Sequence, residues 1–143
     1  LLPKLTMEGR LTADPELRFL DSGLAVCSFT IVNQDRRKND ATGEWEDSGD
    51  PLFIRVSVWR QQAENAAESL SKGDLVVCIG KLQNRKWEDK EGNTRYSLEM
   101  QADTVAISLL FRTVKHGAQR SQRKSADDDP WASPPPSSDD PPF

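Results

Sequence analysis

The sequence predicts an all-β domain carrying one short helix. Three observations predict it. Apolar residues alternate with period two along several runs, turn residues separate those runs, and a single segment switches to a helical period.

The elements follow in order. Lys4–Leu11 opens as a strand and stops at the turn signal Thr12-Ala13-Asp14-Pro15-Glu16. After Asp21-Ser22-Gly23, Leu24–Val32 (LAVCSFTIV) is a second strand, rich in Val, Ile and Phe. Gln34–Asp50 is long and polar and is expected as a loop. Leu52–Trp59 (LFIRVSVW) is the third strand, with Leu52, Ile54, Val56 and Val58 on a core face and Phe53, Arg55, Ser57 and Trp59 on the other. In Gln61–Leu70 the residues Ala63, Ala66, Ala67 and Leu70 form one helical stripe. Ser71-Lys72-Gly73 ends that helix, with a cation in its last turn and a glycine stop. Asp74–Trp87 and Arg95–Ser108 are the last two strands, joined through Lys90-Glu91-Gly92-Asn93. Three strands, a helix and two strands is the order of a five-stranded Greek-key barrel, the OB-fold.

The barrel does not use the whole chain. Of nine prolines among the 143 residues, six lie in the last 18, ADDDPWASPPPSSDDPPF, which also hold five Asp and no Lys, Arg or Glu. Such a segment buries too little apolar surface to offset ordering entropy and is expected to be disordered. Residues 1–112 are thus read as the folded domain, 113–125 as a basic flexible linker and 126–143 as an acidic, Pro-rich tail. Net charge is -4, which taken whole argues against nucleic acid. By segment the tail holds the deficit, and the first 125 residues carry +1. A near-neutral domain must rely on stacking more than on its gross field.

Two Cys and one His exclude a disulfide framework and leave no zinc spacing. Cys27 and Cys78 lie in apolar runs as expected buried free thiols, and His116 is expected as a bystander in the linker. No apolar run reaches the ~18 residues of a membrane span, and Leu1–Leu5, interrupted by Pro3, does not read as a signal peptide. A reducing, cytoplasmic setting is expected. No glycine-rich phosphate loop, metalloprotease motif or nucleophile motif is present, so no enzyme, cofactor or metal is expected.

Exposed Phe53 and Trp59 beside Arg55 have two explanations. They meet a second subunit or a covering loop, or they are platforms on which bases stack. The next strand favours stacking. Lys81, Gln83, Arg85 and Trp87 share one parity and Lys86 adjoins Trp87, setting a ring among cations as a groove tracking a sugar-phosphate backbone requires. Trp45, in a polar segment with Arg36, Arg37 and Lys38, is a further candidate contact.

These residues also resemble a known family. Gly9–Arg18 (GRLTADPELR), Phe53–Arg60 (FIRVSVWR), Ala63-Glu64-Asn65-Ala66, Leu70–Asp74 (LSKGD), Gly80-Lys81-Leu82, Arg85-Lys86-Trp87 and the closing Asp139-Asp140-Pro141-Pro142-Phe143 are similar to bacterial single-stranded DNA-binding proteins. Asp128-Asp129-Pro130-Trp131 and the Pro-Pro-Phe ending look most like the actinobacterial branch. The resemblance implies a homotetramer that wraps single-stranded DNA with little sequence preference during replication, recombination and repair. Phe53, Trp59 and Trp87 match the family's stacking positions. A fourth aromatic, expected near Arg36 or Arg37, is absent, and Trp45 either replaces it or anchors its segment. The resemblance further implies that Asp139, Asp140, Pro141, Pro142 and Phe143 dock into basic-rimmed apolar pockets of partner proteins; a solubilising tail is the alternative. An OB-fold interaction scaffold and an RNA-binding accessory protein using the same aromatic face are the competing functions.

Overall fold

The computed structural model describes residues 1–115. The chain divides into two units, Leu1–Phe111 and Arg112–Phe143. His116, the rest of the expected linker and the acidic tail with its Asp139–Phe143 tip lie outside the described residues.

The first unit is built from β1 (Lys4–Leu11), β2 (Glu16–Phe19), β3 (Ala25–Lys38), β4 (Trp45–Trp59), α1 (Arg60–Ser69), β5 (Leu75–Glu88) and β6 (Thr94–Ile107). The sheet runs β1-β5-β6-β4-β3-β2, and an added β1–β3 pairing closes it into a barrel. β4 and β6 pair in parallel through Arg55↔Glu99; the other pairings among the described strands are antiparallel.

Six strands make five staves. Asp14 and Pro15 interrupt the first strand, since proline has no N–H for the ladder. The end of β1 (Arg10↔Val32) and all of β2 (Arg18↔Val26) then share one edge of β3. The five-stranded OB barrel is therefore present, its first stave broken in two.

On β4 the core lies where period two placed it, at Ile54, Val56 and Val58, and it extends into the neighbouring strands. Ile31, Ile54, Val56, Val58, Val76 and Met100 are fully buried, and each such aliphatic contributes roughly 1.5–3 kcal/mol over its exposed state. Leu52 departs from the pattern. It was expected on the core face and is exposed, because it pairs with Asn33 where β3 and β4 leave the barrel. Ala63, Ala66 and Leu70 bury the helical stripe against the core. Gln62 ties α1 to β6, accepting from the Val105 amide at 2.8 Å and donating to the Asp103 carbonyl at 3.0 Å. The helix ends at Ser69, so Lys72 is not in its last turn as expected. Lys72 lies in the following turn, where its amide donates to Asp14 and Gly73 takes φ +89°.

Gly80 permits a close approach of strands. A Cβ there would stand 2.1 Å from the Gln101 carbonyl oxygen, beside the register shift after Ile79. Cys27 and Cys78 are buried free thiols. Burial raises both, pushing Cys78 up to about 12.

The polar segment Gln34–Asp50 is not a loop. β3 runs on to Lys38 and β4 starts at Trp45, making a two-stranded arm that turns at 39–44. Asn39 supports the turn, its Oδ1 accepting from Ala41 N–H and its carbonyl from Gly43 N–H. Both faces of the arm are wet, so it carries no apolar alternation from which strands could be read.

Candidate nucleic-acid interface

One outer strip crosses the barrel, and strand register fixes its members. On β4, Phe53, Arg55, Ser57 and Trp59 point outward, opposite Val32, Thr30, Ser28 and Val26 of β3. Arg55 and Ser57 lie beside Glu99 and Gln101 of β6, and those pair with Gln83 and Lys81 of β5. Two residues further along each strand, Arg85 faces Ser97, and then Trp87 faces Arg95. Phe53, Arg55, Trp59, Lys81, Arg85 and Trp87 thus share the outer face, with all three rings exposed.

Trp45 joins the strip. Between Leu52 and Ser48 the β4 side holds three residues where β3 has only Gln34, an excess of two. An even insertion leaves side-chain parity unchanged. Val32, Arg36 and Lys38 alternate along an unbroken β3, so Phe53 (opposite Val32) and Trp45 (opposite Lys38) occupy the same side. The Gln34 amide donates to the Gly49 carbonyl at 3.2 Å and braces the bulge. Lys86 does not join. It pairs with Tyr96 and points to the reverse of the β5–β6 arm.

The cations differ in readiness. Arg85 is held by half-buried Glu99 at 3.2 Å, Arg95 by Asp89 at 3.0 Å and Arg36 by Asp47 at 3.5 Å. Lys4 holds Asp103 at 2.9 Å, and that contact, with the Lys81 charge nearby, keeps the Asp103 carboxyl below its usual range. Arg55, Lys38 and Lys81 make no ion pair among the described residues. Acids paired with cations within the strip soften its field, and exposed rings remain its most distinctive chemistry.

Trp59 ends β4 and α1 begins at Arg60, which takes φ +61°. A left-handed non-glycine residue is strained by roughly 1–2 kcal/mol, and here it sits directly beside a candidate platform.

Sequence reasoning missed Arg95 and Tyr96 as surface chemistry. The turn residues Lys90–Asn93 by themselves would set Tyr96 opposite Trp87; the observed turn is centred on Glu91, with Glu88 opposite Thr94, and so sets Arg95 opposite Trp87 and Tyr96 opposite Lys86.

The chain as a whole is similar to known proteins. The chain is 43% identical over 159 aligned positions to a single-stranded DNA-binding protein of Mycobacterium tuberculosis, covering 97% of this chain and 96% of that one. It is 49% identical over 119 positions to one of Corynebacterium glutamicum, covering 83% of this chain and 52% of that one. The crystal structure of a small single-stranded DNA-binding protein from Streptomyces coelicolor superposes with a TM-score of 0.66 at 30% identity, over 76% of this chain and 95% of that one. A model of the single-strand binding protein family matches residues 2–108, and the chain belongs to that family, whose members bind DNA and are not enzymes.

Proposed function

We propose that this protein binds and protects single-stranded DNA with little sequence preference, in the cytoplasm, during replication, recombination and repair. One observation carries the reading: in a chain of the single-strand binding family, Trp45, Phe53, Trp59 and Trp87 share one outer strip with Arg55, Lys81 and Arg85. Every base has a π-face, so rings recognise single strands without reading sequence, at about 1–3 kcal/mol per base. Cations between the rings take the phosphates. Lys86 belongs to the same binding machinery from the reverse of the arm.

Assembly as a homotetramer and recruitment of partner proteins by Asp139, Asp140, Pro141, Pro142 and Phe143 complete the proposal. The tip combines the Asp139 and Asp140 carboxylates with the Phe143 ring beside two prolines, a chemistry that suits a basic-rimmed apolar pocket.

The test is a poly(dT) titration followed by tryptophan fluorescence, with solution mass recorded. Quenching is expected, and Trp59→Ala with Trp87→Ala together should weaken binding at least about 10-fold. Undiminished affinity in that double variant overturns the strip. Deleting Asp139–Phe143 should abolish partner capture and leave DNA affinity equal or higher.

A further inference from the structure

The β5–β6 hairpin projects past the barrel as a second arm, and its two sides carry different residues. Trp87 and Arg95 form one cross-strand pair on the front, and Lys86 and Tyr96 form the next on the back. Within the barrel that back side is core, as Leu82↔Met100 shows. Past Leu98 the core ends, and Tyr96 is left 67% exposed. Tyr96 has no hydrogen-bond or ring partner among the described residues, and Lys86 has no ion pair among them.

We propose that the back of the β5–β6 arm is a second station for the same single strand, with Tyr96 as its stacking ring and Lys86 as its phosphate contact. The proposal rests on the single-strand reading of the front face. Three features point to a nucleic-acid strand as occupant. A ring beside a cation is repeated on both sides of one thin ribbon, so front and back offer the same chemistry. Both edges of the arm are open, because β5 pairs with β1 only as far as Lys81 and β6 pairs with β4 only over Glu99–Gln101. A flexible strand can therefore pass from Trp87 around an edge to Tyr96. Finally, Glu88 faces the back beside Thr94, one pair nearer the tip, and repels phosphate there. That repulsion confines the strand to the stretch marked by Asn84, Lys86, Tyr96 and Leu98.

The experiment compares Tyr96→Ala, Tyr96→Phe and Lys86→Gln with the full chain on two ligands. One is oligo(dT) of about 8 nucleotides, within the ~4–16 that one OB-fold holds; the other is poly(dT). Tyr96→Ala should bind poly(dT) roughly 5- to 30-fold more weakly and occlude fewer nucleotides, with little change on the short ligand. Tyr96→Phe keeps the ring and should bind as the parent does. Lys86→Gln should lower the salt slope on poly(dT) by about one. In the unaltered protein, poly(dT) doped with 5-iododeoxyuridine should cross-link to Tyr96, a readout that does not depend on any variant folding. Equal poly(dT) affinity in Tyr96→Ala together with no cross-link overturns the second station. A fall in solution mass for Tyr96→Ala, without a cross-link, assigns the back of the arm to contacts between copies and overturns it equally. Trp87→Ala separates the two readings: if it weakens neither ligand the front face fails, whereas loss there with a neutral Tyr96→Ala removes only the back.

Discussion

Trp87 and Arg95 face each other across the β5–β6 arm, and the Arg95 guanidinium is held in place by Asp89 at 3.0 Å. The ring is thereby flanked by a cation whose charge is already partly spent. The pair is a stacking site with a restrained electrostatic component.

Releasing that cation should be measurable. Asp89→Asn keeps an oxygen for the turn amides of Glu91 and Asn93 and removes the charge facing Arg95. Affinity for poly(dT) should rise at low salt, and the slope of log affinity against log salt should steepen by up to about one. Fluorescence titrations at several salt concentrations measure both.

The same carboxylate gives the tip of the arm an acid limit. The Asn93 amide, followed by Arg95, holds the Asp89 carboxyl below its usual range. Its folded pKa is then lower than its unfolded one, so this stabilisation is complete above the unfolded value near ~4 and is lost as pH falls through the folded value. An NMR titration should find the Asp89 midpoint below that of an exposed Asp. Loosening of the Glu91 and Asn93 amides should follow the same titration.

Gly80→Ala should destabilise the barrel by about 3 kcal/mol or more. The added methyl meets backbone, 2.1 Å from the Gln101 oxygen and 2.6 Å from the Ala102 Cα, and neither can swing aside as a side chain would. Urea unfolding measures the loss, and a shift below about 1 kcal/mol contradicts the close approach.

Cys27 and Cys78 should be inert in the folded protein. Burial raises both thiols, Cys78 to about 12, so little thiolate forms at pH 8 and reagent cannot reach it. Ellman's reagent should titrate both cysteines only after denaturation.

What could be read from the sequence follows where water was excluded. Val56 and Val58 sit where alternation put them because one side of β4 is core there. Leu52, two residues before Ile54 on the same parity, lies past the barrel's end, and periodicity could not show where the core stops. The β3–β4 arm was hidden for the same reason, since Arg36, Arg37 and Lys38 opposite Asp47, Glu46 and Trp45 make a ladder with no dry side, whereas the β5–β6 arm was legible as two strands joined by a turn. The rings of the strip were legible because aromatics on a wet parity are uncommon. Assigning Lys86 and Tyr96 to the reverse side needed the hairpin register as well.

The two extra residues of β4 are absorbed on one strand only. Because β3 runs unbroken from Val32 to Lys38 and Trp45 stands opposite Lys38, β3 sets the side on which Trp45 lies, and the number of residues in the Gly49-Asp50-Pro51 stretch does not. That bulge can therefore gain or lose a residue while the ring keeps its row.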